Sequence, residues 1–342
     1  MVITAHSSVD RCEAGDVALQ CGITLTDVEL VVATYGSLER SGDNVIVFPT
    51  RFGGTHEGNE YLIGEGMALD PARYFILVPN LLGNGVSSSP SNAGGPFAGG
   101  HFPSTTIYDN VMLQRRVLAE HYGIDRVHLA VGWSMGGQQA YQWAALLGDH
   151  IAKLAVICGS ARTSPHNQVF LEGMKAALTA DGAWNGGAYD RPPVQGLRAI
   201  GRAWAGWALS QAWYRAELFR ELGYSSLEDF LVRYWEALYL ERDANNVLSM
   251  IDTWKHADLS ANGVYERDYD AAMRAITART VLMPGRTDLY FPPEDSELEC
   301  ALLSDARLAP IPSIWGHYAG AGRVPEDLEF MDRELASLLA DN

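Results

Sequence analysis

The fold can be inferred from one segment, Val127-His-Leu-Ala-Val-Gly-Trp-Ser134-Met-Gly-Gly-Gln-Gln-Ala-Tyr-Gln-Trp-Ala144. Its first five residues form an apolar run typical of a buried strand, and the residues after Ser134 follow the spacing of an amphipathic helix. Between them lies Gly132-Trp-Ser134-Met-Gly136, whose two glycines leave room for a sharp, strained turn. The pattern predicts a nucleophile elbow, with the serine hydroxyl above the sheet edge at the N-terminus of a helix.

A simpler interpretation of the same segment is a glycine-rich turn that carries a passive serine. Five-residue patterns of this kind occur by chance in many chains, so the motif alone does not identify a nucleophile. The apolar strand before it and the helical pattern after it favour the elbow.

Composition bounds the class of protein. The chain has 342 residues, of which 47% are hydrophobic and 20% charged, so it can bury a sizeable core in one large domain with an insertion or in two domains. Its formal net charge of −17, from 42 acidic and 25 basic residues, argues against nucleic acid or an anionic membrane surface as a partner.

Cysteine usage and hydropathy bear on the compartment. The four cysteines are scattered without a C-x-x-C pair, so nothing demands an oxidising compartment or a metal site. The N-terminal residues lack a basic start followed by an apolar stretch, and no apolar run reaches the roughly 18 residues that span a bilayer. We therefore expect a soluble, cytoplasmic protein with no metal or other cofactor.

Strand and helix patterns alternate along most of the chain. An early antiparallel pair is expected between Asp16 and Leu38, and a helix is expected from Ile107 to Tyr122. Short apolar runs mark further strands at Asn44–Pro49, Arg73–Pro79, Val127–Val131, Lys153–Cys158, Arg279–Pro284 and Ala306–Ile311. This alternation predicts an α/β fold with a mostly parallel, twisted sheet covered by helices.

The alternation stops in the middle of the chain. From about Ala161 to Ala278 there are helical patterns but no convincing strand, and a segment of this length is too long for a simple connection. We therefore predict a core formed by residues 1–160 and 279–342, with residues 161–278 inserted as a helical lid. The predicted lid carries six of the nine tryptophans, which could line a substrate or simply fill the lid's own core.

Polar residues that could complete a catalytic site follow two late strands. A serine hydroxyl needs a base to accept its proton, and the base needs an acceptor that fixes its tautomer. Asp288 and His317 supply these groups in the chain order Ser, Asp, His of α/β-hydrolases. The other histidines all lie before Asp288 in the chain. A simpler interpretation is that Asp288 is only a turn residue and that His317 is only a surface histidine.

The glycine-rich loop Thr50–Gly58 follows an early strand. It lacks the Lys-Ser/Thr pair of a P-loop and the spacing of a dinucleotide fingerprint, so a phosphate cradle is disfavoured. In α/β-hydrolases this loop supplies one N–H group of the oxyanion hole, and the residue after the nucleophile supplies the other. Phe52 and Met135 are the corresponding candidates.

Taken together, the motifs resemble those of homoserine O-acetyltransferases and their hydrolytic relatives within the α/β-hydrolase superfamily. The resemblance covers nearly the whole chain. It is carried by Tyr35–Leu38, Gly64–Asp70, Asn80–Gly83, Trp133–Gly137, Asp181–Gly187 and Gly316-His317. It implies a triad of Ser134, Asp288 and His317, a covalent acyl-Ser134 intermediate, and a helical lid that often forms a homodimer interface.

Several residues depart from the transferase pattern. Tyr318 stands where the transferases have an aspartate that holds the amino group of homoserine, and Thr50-Arg-Phe-Gly-Gly54 replaces their His-Ala-Leu-Thr-Gly. Arg202 could correspond to the arginine that grips the substrate carboxylate, although the alignment is one residue out of step. Arg51 and Trp133 are further substrate-binding candidates.

These departures favour the esterase members of the family. We predict a serine esterase that hydrolyses small acetate esters through an acyl-Ser134 intermediate, with a small-molecule ester as its partner. The main alternative is an O-acetyltransferase that passes an acetyl group from acetyl-CoA to homoserine or a related alcohol. A hydrolase-fold protein that only binds a ligand is the alternative from another functional class.

Overall fold

An eight-stranded sheet runs through the described part of the molecule. The computed structural model describes residues 7–40, 42–189 and 191–340, so the N-terminal residues 1–6, where no targeting segment is expected, lie outside it. The strands are β1 (Ser7–Ala18), β2 (Thr24–Tyr35), β3 (Val45–Val47), β4 (Phe75–Pro79), β5 (Val127–Trp133), β6 (Ile151–Ile157), β7 (Arg279–Met283) and β8 (Ala306–Leu308).

The order of the strands across the sheet is β1-β2-β4-β3-β5-β6-β7-β8. The first two strands pair antiparallel with each other, and β2 pairs antiparallel with β4. All pairs from β4 to β8 are parallel. The predicted mostly parallel sheet with an early antiparallel pair is therefore confirmed.

Helices cover both faces of the sheet. They are α1 (Ile107–Tyr122), α2 (Met135–Leu147), α3 (Pro165–Thr179), α4 (Val194–Ala208), α5 (Gln211–Arg215), α6 (Leu227–Phe230), α7 (Ala237–Leu240), α8 (Ala244–Lys255), α9 (Tyr269–Arg274), α10 (Pro293–Cys300) and α11 (Pro325–Ala340). A π-helical turn, Leu231–Glu236, joins α6 to α7.

Residues on β3 show why these strands read as continuous apolar runs. Val45 and Val47 belong to the apolar cluster that includes the buried side chains of α1 and α2. Ile46, between them, belongs to the cluster that contains Met331 and Leu335 of α11. Because both faces of a parallel sheet are buried, each strand loses the polar alternation of a half-exposed strand.

The chain between β6 and β7 contributes α3 to α9, and among its described residues the one β-bridge joins Arg162 to Asp258. A buried carboxyl group ties the beginning of this segment to the core: Glu299 of α10 accepts hydrogen bonds from the N–H of Ala161 and the hydroxyl of Tyr141. Burial raises the pKa of Glu299 to about 8, so its carboxyl group is mostly neutral at pH 7. The division into a core and a lid domain stays a prediction.

Candidate active site

The turn between β5 and α2 places Ser134 in a strained conformation. Its φ is 60° and its ψ is −128°, a backbone region that non-glycine residues rarely adopt. The flanking glycines are required by close backbone approaches: a Cβ atom on Gly132 would lie 2.0 Å from the carbonyl oxygen of Gly136. This geometry is that of a nucleophile elbow, as the sequence predicts.

Three polar side chains form one hydrogen-bonded chain at this turn. The Nε2 atom of His317 lies 2.9 Å from Ser134 Oγ, and its Nδ1 atom lies 2.7 Å from Asp288 Oδ2. All three residues are buried, with exposed fractions of 3%, 6% and 3% for Ser134, His317 and Asp288. The structure therefore brings together three predicted residues that lie far apart in the sequence.

Asp288 and His317 are held by their own loops at the carboxyl ends of the strands. The second oxygen of Asp288, Oδ1, accepts hydrogen bonds from the N–H groups of Tyr290 at 2.8 Å and Phe291 at 3.3 Å. Thr287 joins the two loops because its hydroxyl accepts a hydrogen bond from the N–H of Gly316 at 3.1 Å. These bonds restrain the carboxylate and the imidazole relative to each other.

Stacking contacts fix the plane of the His317 ring. The ring of Trp133 is stacked on it with centroids 5.3 Å apart, and Tyr290 meets it edge to face at 4.9 Å. Trp133 is thus a wall of the site that contacts the histidine directly. Its predicted role in substrate binding stays a prediction.

The two predicted oxyanion donors lie on backbone segments that contact each other. Met135 is the first residue of α2, so its N–H has no partner one turn earlier in the helix. In the described part of the chain, the N–H of Phe52 forms no hydrogen bond. The buried side chain of Gln139 connects the segments, since its Nε2 donates to the carbonyl oxygens of Thr50 at 2.9 Å and Met135 at 3.2 Å.

An aromatic cavity of about 60 Å³ adjoins Ser134. Phe52 and Trp204 are stacked in its wall with centroids 4.8 Å apart, and Trp254 contacts both rings. The remaining lining residues are Arg51, Trp133, Trp235, Leu238, Tyr239, Arg242, Tyr290, His317 and Tyr318. Most of the side chains in this lining are therefore aromatic.

Comparisons with known proteins identify the family of the fold. A family model described as the alpha/beta hydrolase fold matches residues 44–322. The chain belongs to the α/β-hydrolase fold family.

The relatives of this α/β-hydrolase include both esterases and acetyltransferases. It is 34% identical over 338 residues to an ethyl acetate hydrolase of Pseudomonas veronii, covering 98% of this chain and 96% of the relative. A solved acetylester hydrolase from Corynebacterium glutamicum superposes with a TM-score of 0.94 at 32% identity, covering 98% of this chain and 96% of that one. A homoserine O-acetyltransferase of Trichormus variabilis is 29% identical over 316 residues, covering 88% and 86%. The resemblance predicted from the motifs is confirmed.

Arg202 does not reach the cavity of the α/β-hydrolase. Its Nε donates to Glu236, and its Nη1 donates to Glu228 at 3.0 Å on the surface of the helical segment. These carboxylates raise the pKa of Arg202 and hold its guanidinium away from Ser134. Arg202 is not among the residues that line the cavity, and its predicted role in binding a substrate carboxylate stays a prediction.

The structure places two other candidates in the wall of the site. Tyr318 lines the cavity, and its hydroxyl accepts a hydrogen bond from Tyr234 at 3.3 Å. Arg51 lies with its guanidinium carbon 4.7 Å from the centroid of the Trp133 ring. Sequence reasoning missed Arg242, which also lines the cavity and has no recognisable motif around it.

One group of potential metal ligands coincides with the catalytic candidates. Ligand atoms of Cys158, Asp288 and His317 lie within 4.8 Å of one another in the described part of the chain. The side chains of Asp288 and His317 are hydrogen-bonded to each other, and Nε2 of His317 faces Ser134. Coordination of an ion would break these hydrogen bonds, so the arrangement fits a proton-transfer role better than a metal site.

No helix in the described ranges is long and apolar enough to cross a membrane.

Proposed function

We propose that this α/β-hydrolase is a serine esterase that hydrolyses small acetate esters through an acyl-Ser134 intermediate. The observation that carries the proposal is the buried chain of hydrogen bonds from Ser134 through His317 to Asp288. Carboxylic ester hydrolysis is also the activity named for the Pseudomonas veronii and Corynebacterium glutamicum relatives.

Each member of the hydrogen-bonded chain has a distinct role. Asp288 accepts the Nδ1–H of His317, which leaves Nε2 unprotonated and directed at the serine hydroxyl. His317 takes the proton of Ser134 as Oγ forms a bond to the ester carbonyl carbon. The imidazolium then gives this proton to the departing alkoxide, the C–O bond breaks, and the alcohol leaves.

Water completes the cycle at the acyl-enzyme. His317 accepts a proton from water as the water oxygen attacks the acyl carbon, and it returns the proton to Ser134 when acetate leaves. In both halves the carbonyl oxygen becomes negatively charged. The N–H groups of Phe52 and Met135 are proposed to stabilise that charge.

The oxyanion arrangement depends on the contact between Gly136 and the loop after β3. A Cβ atom at position 136 would lie 2.5 Å from the carbonyl oxygen of Pro49, so this loop and the nearby N–H of Phe52 must shift in Gly136→Ala. We expect kcat for p-nitrophenyl acetate to fall by about 10²- to 10³-fold, as for loss of one oxyanion donor. Gly173→Ala, on α3, is the matched control, because a Cβ atom added there would have no neighbouring atom within 4 Å. A Gly136→Ala enzyme with unchanged kcat would contradict the proposed oxyanion hole.

Hydrolysis is favoured over acyl transfer by the chemistry of the cavity. A transferase that uses homoserine must pair both its ammonium and its carboxylate, since unpaired charges are costly to bury. Tyr318 offers a phenol where an ammonium would need a carboxylate, and the described residues that line the cavity include no Asp or Glu. Acetyl transfer from acetyl-CoA to homoserine remains the alternative function.

Product analysis tests the proposed function. Purified protein incubated with ethyl acetate is expected to release ethanol and acetate, and adding homoserine should leave the acetate yield unchanged. A parallel reaction with acetyl-CoA and homoserine should form O-acetylhomoserine no faster than a reaction without protein. Saturable formation of O-acetylhomoserine would contradict the esterase assignment and favour the transferase.

The helical segment at 161–278 is proposed to act as the lid, because Trp204, Trp235 and Trp254 from this segment line the cavity beside Ser134. A homodimer through this segment stays a prediction.

A further inference from the structure

Two arginines line the cavity without a carboxylate partner. Arg51, from the loop after β3, and Arg242, just before α8, both belong to its wall. Within residues 7–40, 42–189 and 191–340, neither forms a salt bridge, and the Nε atom of each is buried without a hydrogen-bond acceptor. Both arginines are partly buried, and cations withdrawn from water are normally paired, so two guanidinium groups without a carboxylate partner in one cavity require an explanation.

The Arg51 guanidinium has only weak internal compensation. Its Nη1 donates to the carbonyl oxygen of Phe52 at 3.1 Å, and its face lies over the ring of Trp133. Burial lowers the pKa of Arg51, and the positive charge of Arg242 lowers it further, whereas the phenol of Tyr318 acts in the opposite direction. An arginine nevertheless stays protonated at neutral pH, so the charge persists.

Arg242 approaches the same loop from the helical segment. A Cβ atom at position 53 would lie 1.8 Å from Nη1 of Arg242. Glycine at this position therefore allows the guanidinium to approach the loop closely. The guanidinium carbon of Arg242 lies 5.5 Å from the centroid of the Tyr239 ring. The two cations therefore flank the segment that carries the proposed oxyanion donor Phe52.

The described side chains that act most on Arg51, besides Arg242, are phenols. They belong to Tyr61, Tyr234 and Tyr318. Burial raises the pKa of Tyr61 and of Tyr318, so these phenols carry no compensating negative charge. A bound anion would supply the missing partner, and a guanidinium pair matches the two oxygens of a carboxylate.

We propose that the cavity binds acetate esters whose alcohol part carries a carboxylate, with Arg51 and Arg242 as the carboxylate subsite. This inference rests on the proposed esterase function and specifies its substrate class as the O-acetyl esters of small hydroxy acids. The same two positive charges disfavour an ammonium group on the substrate. The carboxylate of homoserine would meet the same two arginines, but its ammonium group would then lie near two positive charges, so a simple hydroxy acid is favoured over an amino acid.

A purely structural role for the arginines makes a different prediction. If Arg51 and Arg242 only support the loop that carries Phe52, their replacement should lower turnover of charged and neutral esters equally. If they bind a carboxylate, the loss should be larger for the charged ester. A matched pair of substrates, acetoxyacetate and its neutral amide acetoxyacetamide, separates the two roles.

Steady-state kinetics with this pair form the first test. We expect the wild-type protein to have a higher kcat/KM for acetoxyacetate, and Arg242→Met to lower the ratio of the two kcat/KM values by about 10- to 100-fold, as for loss of a charged hydrogen bond. Arg242→Lys should restore part of the ratio because it keeps the positive charge. The control is Arg274→Met, which changes an exposed arginine paired with Asp270. Equal ratios in the wild type and Arg242→Met would overturn the subsite.

Binding to the inactive Ser134→Ala variant tests the subsite without turnover. Titration calorimetry is expected to show tighter binding of acetoxyacetate than of acetoxyacetamide, with the difference lost in the Arg51→Met and Arg242→Met backgrounds. Equal affinities for the two compounds would overturn the subsite. Preferential binding of acetoxyacetate by a protein whose wild type hydrolyses neither ester would support the subsite and contradict the esterase function instead.

Discussion

Replacing Ser134 or His317 by alanine is expected to lower kcat for p-nitrophenyl acetate by about 10⁴- to 10⁶-fold, because the members of such a triad act as one unit. Without the Ser134 hydroxyl no acyl-enzyme can form, and without the His317 imidazole nothing accepts the serine proton. The two losses should be similar in size, and the double variant should lose little more than either single variant. Initial rates corrected for the spontaneous hydrolysis of the ester give these values.

The controls must separate catalysis from folding. His121→Ala changes an exposed histidine in the last turn of α1 and should retain full activity. Thermal unfolding should confirm that the Ser134→Ala and His317→Ala variants are folded. A fluorophosphonate should label the wild type at Ser134 and leave Ser134→Ala unlabelled. Full activity in a folded Ser134→Ala or His317→Ala protein would refute the triad, and failure of the folded wild type to label would favour a protein that only binds its ligand.

Asp288→Asn is expected to lower kcat by about 10⁴-fold, the second large effect. The asparagine carbonyl oxygen can keep the hydrogen bonds that Oδ1 accepts from the N–H groups of Tyr290 and Phe291. Its amide nitrogen then faces Nδ1 of His317 and donates to it, so the proton of the imidazole moves to Nε2. In that tautomer His317 cannot accept the proton of Ser134.

The pH dependence checks this explanation. Because the defect is a wrong tautomer, the activity of Asp288→Asn should recover only where hydroxide can take over as the base, so its rate should keep rising with pH above neutrality. Asp288→Ala provides a comparison, since it removes the acceptor without adding a donor and should retain more activity than Asp288→Asn. An Asp288→Asn enzyme within tenfold of the wild type would show that Asp288 does not set the tautomer.

The glycine pattern around Ser134 and the positions of the late strands could be predicted because they depend on local chemistry. A strained elbow requires glycines within two residues of the serine, and a buried parallel strand requires a continuous apolar run. Asp288 follows such a run, β7, and His317 follows the partly buried edge strand β8. Parallel strands end at the same edge of the sheet, which brings the two residues together. Their order in the chain after Ser134 indicates that Asp288 is the acid and His317 the base.

The residues of the cavity could not be predicted in the same way. Side chains on a helix turn by about 100° per residue, so one position decides whether an arginine reaches the site or the surface. Arg202 lies on α4 and turns to Glu228 and Glu236, whereas Arg242 lies in the short connection before α8 and reaches Gly53. Nothing in the local pattern of either arginine distinguishes them.

The sequence alone therefore determined the α/β-hydrolase fold, the elbow and the three residues at the strand ends, since each follows from short-range sterics or strand periodicity. Only the tertiary structure decided which aromatic rings face Ser134 and that Arg51 and Arg242 share one cavity. These contacts join residues from the early loop and the helical segment, and their distance depends on how the helices pack over the sheet. Packing of this kind depends on the shapes of many side chains at once, which no single motif records.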